Sequence, residues 1–234
     1  MNTFTYKQKF DFLYGAKTFI PTTTSEILLE NIFADDQKLG DTLDLGTGIG
    51  FVIIMLKLKG MKMGSCFASD LSTANLSYCK QNATGFKVPI EIKQGSLFNP
   101  WANYKFDTII NDVSGIVPSL AEDSGWFKGV PIDSGPDGAD LTVEVIYNAS
   151  THLNEGGKLY TPILSLQNEK RIYKAIDDNG FSYKILSSQY WPLPEKIVQN
   201  KKLLEQLTKN GSIRLDMKFG KLCWYTTIIK LEKG

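Results

Sequence analysis

The sequence predicts a single α/β domain, a doubly wound and mostly parallel sheet with helices on both faces, and three observations carry that expectation. Thr42–Leu43–Asp44–Leu45 is a strand-like run that passes through alternating glycines, Gly46, Gly48 and Gly50, straight into an apolar segment, which is the pattern of a strand, a tight turn and a helix N-terminus. An acidic residue, Asp70, ends the next strand-like segment about 20 residues beyond the glycines, the spacing of a β-α-β unit. Strand and helix patterns then alternate along the rest of the chain, which favours a sheet built by crossovers. With 234 residues, 42% of them hydrophobic, the chain can bury one sizeable core.

The glycine turn is the first candidate site. Glycines let the backbone turn sharply and let a ligand lie against bare main chain, and the helix expected over residues 49–58 aims its free N–H groups at the same spot. Asp70, at a strand tip beside that turn, is placed to accept both hydroxyls of a ribose. The spacing is G-x-G-x-G, with Phe51 after the third glycine, rather than G-x-G-x-x-G, and this disfavours a nicotinamide dinucleotide.

These residues resemble the class I S-adenosylmethionine-dependent methyltransferases, whose first motif is similar to Leu43–Asp44–Leu45–Gly46–Thr47–Gly48–Ile49–Gly50. Asp70–Leu71–Ser72 with Ala74–Asn75 and Asn82, Gly95–Ser96–Leu97–Phe98, and Phe106–Asp107–Thr108–Ile109–Ile110–Asn111 follow in the order of the branch that contains the release-factor glutamine methyltransferases and the small methyltransferase domains. Gly135–Pro136–Asp137–Gly138–Ala139–Asp140 and Glu155–Gly156–Gly157–Lys158–Leu159 are similar to the glutamine methyltransferases in particular. The resemblance implies a Rossmann-like sheet closed by a reversed last strand. It also implies S-adenosyl-L-methionine as cofactor: Asp44, Gly46, Thr47, Gly48 and Gly50 around its methionine portion, Asp70 and Leu71 at the ribose, Ser96 and Leu97 at the adenine, and Asn111 beside the methyl group. One departure matters. Where the branch has Asn-Pro-Pro-Tyr, this chain reads Asn111–Asp112–Val113–Ser114, so glutamine or nucleobase specificity does not carry over with the motif.

In chain order, residues 1–40 are expected to form an N-terminal flap and helix, the helix running from Thr24 or Ser25 to Phe33 with either hydroxyl as its cap. Phe19 lies in a stretch, Phe19–Ile20–Pro21–Thr22–Thr23–Thr24–Ser25–Glu26, similar to one in the glutamine methyltransferases, and is a candidate for closing over cofactor and acceptor; a surface segment packing its aromatics on the sheet edge is the other reading. Residues 41–234 are expected to form the cofactor-binding domain. A helix over 72–82, a half-buried strand over 89–95 and a buried, central strand over 106–111 follow the turn. Residues 112–137, rich in glycine, serine and proline, read as a loop of about 25 residues, long enough to be a binding loop. It leaves a strand's carboxyl end and is taken to bind the acceptor, with Ser114, Trp126 and Phe127 as substrate-side candidates; core or rim packing is the other reading for the two aromatics. Helices are expected over 139–152, 168–179 and 195–209, and strands over 158–164, 183–193 and 222–231. The inserted helix 195–209 suits either a cover for the site or a homodimer surface.

Composition narrows the function. Twenty-six Lys and Arg against 25 Asp and Glu give a formal charge of +1, without the basic footprint of a duplex-binding protein. Three scattered cysteines read as reduced thiols, no His/Cys/carboxylate spacing suggests a metal, and no leader or membrane-length apolar run is evident, so a cytoplasmic protein is expected. The single histidine, His152, falls at a helix end and reads as structural. The expectation is methyl transfer to a nitrogen or oxygen of a small metabolite or amino-acid-like acceptor, with Asn111 orienting the acceptor and Asp112 holding a cationic amine or taking its proton. A protein glutamine or RNA base as acceptor is the alternative, and a cofactor-binding protein with non-methylating or no catalysis is the third reading.

Overall fold

A computed structural model describes residues 2–113, 115–127 and 132–234. Its centre is an eight-stranded sheet of β3 (Lys38–Leu45), β4 (Lys62–Asp70), β5 (Glu91–Gln94), β6 (Phe106–Asn111), β7 (Leu153–Leu164), β8 (Ser182–Pro192), β9 (Asp216–Lys218) and β10 (Lys221–Glu232). The order is β5-β4-β3-β6-β7-β10-β8, with β9 paired to the start of β10. β3, β4, β5, β6 and β7 pair in parallel, and β10 runs antiparallel to both β7 and β8. This is the doubly wound sheet with a reversed last strand that the sequence leads one to expect.

Each face of the sheet has its own core. On one side lie α1 (Thr23–Asp35), α2 (Phe51–Leu58) and α3 (Thr73–Gly85), and on the other α5 (Asp140–His152) and α6 (Glu169–Asp178). α2 is apolar at every position but Lys57 because both its neighbours and the sheet cover it, and Phe51 through Leu56 are all buried. β3 is buried on both faces over Thr42–Leu45, as a central parallel strand requires.

The N-terminal segment is more ordered than a flap-like reading implies. β1 (Asn2–Tyr6) and β2 (Phe10–Tyr14) form an antiparallel hairpin whose Phe4, Tyr6 and Phe12 meet Phe51 edge-on at 5.1–5.6 Å. Such pairs add about 0.5–1.5 kcal/mol each beyond area burial. The Asn82 amide fastens the hairpin to the glycine turn: its Oδ1 accepts from Leu13 N, and its Nδ2 donates to Leu13 O and to Ile49 O.

Two further elements depart from expectation. Residues 112–137 contain a helix, α4 (Pro118–Ser124), with proline in its first turn and Leu120 and Ala121 buried. The helix expected over 195–209 is broken at Asn200 into α7 (Glu195–Gln199) and α8 (Lys201–Lys209). α4, α7 and α8 pack together through Ile116, Val117, Leu120, Ile197, Leu204 and Leu207 as a third core above the carboxyl end of the sheet. The apolar positions of both segments therefore face each other, and the inserted helices lie on the segment that carries α4. His152 ends α5, stacked on Phe98 at 4.3 Å with Nδ1 on Asn148 O, away from that end of the sheet.

Candidate active site

The chain order reverses between β3 and β6, and their carboxyl ends with those of β4 and β5 open onto one cavity of about 1120 Å³. That is where an open α/β sheet holds a ligand. Gly46, Gly48, Asp70, Leu71, Ser96, Leu97 and Asp112 line it together with Phe19, Trp126 and Phe127. Ten of the candidate residues thus share one space.

The turn itself explains two of its glycines. Gly46 has φ +66°, and a Cβ there would sit 2.9 Å from Val113 Cγ1. Gly50 has φ +85° and caps α2, and a Cβ on it would meet Cys79 Sγ and Ile54 at 2.9 Å, so this glycine serves helix packing and lies outside the cavity wall. Thr47 donates its hydroxyl to Asp44 Oδ2 at 2.7 Å. Asp44 is 1% exposed, and its other oxygen, Oδ1, is buried without a partner. Asp44, Thr47, Ser25 and Asp112 border a small second cavity beneath the turn.

Burial pushes the Asp44 carboxyl up to about 7, against the Thr47 hydrogen bond and with the nearby charges of Asp112 and Asp70 adding to the rise. Burial likewise pushes Asp112 up to about 6, opposed by a 2.6 Å hydrogen bond from Ser25 Oγ. Asp70 is held by three donors: Gly48 N on Oδ2 at 2.9 Å, and Ser72 N and Asn75 Nδ2 on Oδ1 at 2.8 and 3.1 Å. A carboxylate has lone pairs beyond these for a ligand's hydroxyls. Asn75 also accepts from Phe19 N, so one amide sets both Asp70 and the segment that closes the cavity.

Asn111 is placed differently from its expected role. Its side chain is buried, Nδ2 donates to Thr161 Oγ1 on β7 at 2.9 Å, and Oδ1 accepts from Val113 N. The amide braces two strands under the site instead of lining the cavity. Ser114 lies outside the described residues. The Gly135–Asp140 segment anchors the far end of the stretch 112–137: Asp137 is held by Arg171 and Asn168 of the α6 start.

Sequence reasoning missed Ser25 as a partner of Asp112, and it missed Trp191 and Trp224. The helix cap is Thr22, and Ser25, three residues on, accepts from Thr22 N while donating to Asp112. Trp191 and Trp224 are direct cross-strand partners on β8 and β10, and both line the cavity with Trp126 against Trp224 at 5.2 Å.

S-adenosylmethionine carries an ammonium, a sulfonium and one carboxylate, so a site for it needs more negative than positive groups. Among the described residues of the wall, Lys17 is the one cation against Glu26, Asp70, Asp112 and Asp133. With the unpaired oxygen of Asp44 beneath the turn, the donor set fits.

Comparison with known proteins agrees. The family described as "Methyltransferase small domain" matches residues 21–112, which include the glycine turn and Asp70, and the match stops at the carboxyl end of β6. A protein of Methanocaldococcus jannaschii, by provisional description a protein N5-glutamine methyltransferase, is 27% identical over 184 residues, 79% of this chain and 91% of that protein. The release factor glutamine methyltransferase of Geobacter sulfurreducens is 24% identical over 64% of this chain, and the chain spans only 54% of its length. A methyltransferase structure from Pyrococcus furiosus superposes with a TM-score of 0.56 at 16% identity, over 96% of this chain and 89% of that one, and shares the fold. Among the described residues no helix is long and apolar enough to cross a membrane.

Proposed function

We propose that this chain, which belongs to the class I S-adenosylmethionine-dependent methyltransferases, moves the methyl group to a nitrogen or oxygen of a small or amino-acid-like acceptor held under the α4 and α7–α8 cover. The observation that carries this reading is the convergence of Asp44, Asp70 and Asp112 on the Gly46–Gly48 turn, with a cavity above them larger than the ~300–1000 Å³ typical of a single-ligand pocket.

The cofactor supplies a methyl group on a positively charged sulfur, an electrophile that needs no further activation. The protein's part is alignment, exclusion of water and removal of a proton. Asp44, with Thr47 on one oxygen, would hold the positive end of the methionine portion; Asp70, oriented by Gly48, Ser72 and Asn75, would accept from the ribose; Ser96 and Leu97 would border the adenine. Asp112, raised to about 6 and half-buried at the cavity wall, is the base within reach of an acceptor. Asn111 acts one step back, fixing the strand end that presents Asp112.

Calorimetric titration tests the base of this reading. S-adenosylmethionine and S-adenosylhomocysteine are expected to bind the wild-type protein, and Asp70→Ala to weaken both by roughly 10- to 100-fold, the worth of charge-assisted hydrogen bonds to two hydroxyls. Wild-type protein that binds neither compound sinks the reading.

A second reading, a glutamine side chain of a protein as acceptor, is favoured by the descriptions of the two relatives. Against it stands Asn111–Asp112–Val113–Ser114 in place of Asn-Pro-Pro-Tyr. A polyanionic RNA acceptor is disfavoured by the acidic wall. Tritium transfer from labelled cofactor into the protein, RNA and small-molecule fractions of a cell extract separates the three.

A further inference from the structure

The cavity has two chemically different ends. One is the glycine turn with Asp70, Ser96 and Leu97. The other is walled by five aromatic side chains drawn from four separate parts of the chain: Phe19 from the segment before α1, Trp126 and Phe127 from the loop after α4, Trp191 from the end of β8 and Trp224 from the start of β10. They touch one another in pairs, Phe19 with Phe127 at 5.8 Å and 31°, Trp126 with Trp224 at 5.2 Å and 43°, Trp191 with Trp224 at 6.5 Å and 44°. The rings are held there by structure behind them. Trp191 and Trp224 face each other across the β8–β10 ladder, and the α4, α7 and α8 core packs against Trp224. Asp112 and Asp133 lie in the same wall.

We infer that the acceptor is an amine carried on a flat aromatic body. This rests on the methyltransferase reading above and deepens it. A ring system gains offset or edge contacts from several fixed indoles and phenyls at once, which a polar chain would not. An ammonium gains both from the ring faces and from the carboxylates, while an anionic analogue meets Glu26, Asp112 and Asp133 with only Lys17 to offset them among the described residues. The size agrees, since a nucleoside-sized molecule at one end leaves room for a second of similar size.

The chemistry balances with the groups present. The bound acceptor, R–NH3+, gives one proton to the Asp112 carboxylate. The freed lone pair of R–NH2 forms the new N–C bond while the C–S bond breaks and its electron pair stays on sulfur. The products are R–NH2–CH3+, a neutral thioether and a protonated Asp112, which returns its proton to water. A carboxyl held near 6 recovers its charge readily at neutral pH.

The test uses one ring with opposite charges: tryptamine and indole-3-acetate, each titrated by calorimetry into the full chain saturated with S-adenosylhomocysteine. Tryptamine is expected to bind at least ten-fold tighter than indole-3-acetate and to take tritium from labelled cofactor, and ethylamine, which lacks the ring, to do neither. Trp224→Leu should weaken tryptamine about ten-fold with S-adenosylhomocysteine affinity unchanged. Trp126→Ala, on a half-buried ring of the loop, gives the same readout if the first variant does not fold. Normal S-adenosylhomocysteine binding with equal or no binding of tryptamine and indole-3-acetate overturns the aromatic-amine acceptor and leaves the methyltransferase reading standing; so does label that enters only a protein or RNA fraction. Loss of S-adenosylhomocysteine binding by the wild-type chain overturns the reading beneath it.

Discussion

The two ends of the cavity are built in opposite ways. The end proposed for the cofactor comes from one continuous stretch, Asp44 to Leu97, in which each residue's proposed task follows from its local geometry: a left-handed glycine at the turn, a carboxylate at a strand tip, a main-chain bend at Ser96–Leu97. The end proposed for the acceptor is assembled from Phe19, Asp112, Trp126, Trp191 and Trp224, spread over more than 200 residues and joined only by tertiary packing. The first end is therefore recognisable in a sequence, whereas the second is visible only once the chain is folded. A variant that changes cofactor affinity should leave acceptor preference alone, and the reverse should hold for the aromatic wall.

Asp112 lies on the border between the two ends, and it offers the largest test of their separation. Asp112→Asn keeps the shape and removes the base, so turnover is expected to fall by roughly 10²–10⁴ while S-adenosylhomocysteine affinity changes by less than about three-fold. The measurement is single-turnover methyl transfer beside calorimetry on the same protein. A large fall in cofactor affinity would move Asp112 to the cofactor end and collapse the division proposed for it.

Changing pH acts on both ends at once, with a smaller effect. Asp112, raised to about 6, and Asp44, raised to about 7, must be ionised to hold cationic groups. The transfer rate is expected to fall about ten-fold between pH 7 and 6 and more steeply below 6, where both groups take up protons. The stability of the ligand-free protein runs the other way. Both folded-state values lie above the unfolded 3.8, so their contribution to stability is full below about 3.8 and is lost as pH rises through 6 to 7. The free protein should consequently show a higher Tm at pH 5 than at pH 8, and S-adenosylmethionine should raise Tm more at pH 8 than at pH 5. A ligand-induced rise that is the same at both values would mean that these carboxylates do not face its positive groups.

Local chemistry also marks the limit of what the sequence discloses. The turn at Gly46–Gly50, the strand-end Asp70 and the sheet order are legible because spacing and periodicity fix them within about 30 residues. Asn111 was legible as a strand-end polar residue, yet its amide direction depends on Thr161, 50 positions away on the next strand. Residues 118–124 look like loop among glycines and prolines, and become helix because Ile116, Leu120 and Ala121 can bury against α7 and α8. The Trp191–Trp224 pair exists only in the register of β8 on β10, which no local pattern specifies. The hairpin at residues 2–14 forms for a similar reason: its aromatics find Phe51 of α2 and Phe86 just past the end of α3, further along the chain.

Ser25 gives the smallest effect and the finest test of how the ends communicate. Its hydroxyl is a positioning group for Asp112, reaching across 87 positions from the first turn of α1, and its hydrogen bond opposes the rise that burial imposes on that carboxyl. Removing it in Ser25→Ala should lower turnover only several-fold near pH 8, since one hydrogen bond to a charged group is worth about 1.5–3 kcal/mol at most and water in the cavity replaces part of it. The acid limb of the pH–rate profile should move to higher pH, because Asp112 then ionises later. Ser25 also accepts from Thr22 N in the α1 cap, so the variant costs some stability as well, about 0.5–2 kcal/mol. Only the limb's movement distinguishes the two roles. Ser25→Thr, which keeps the hydroxyl, should restore it, and a limb that stays in place in Ser25→Ala would reduce Ser25 to a cap and leave Asp112 governed by burial alone.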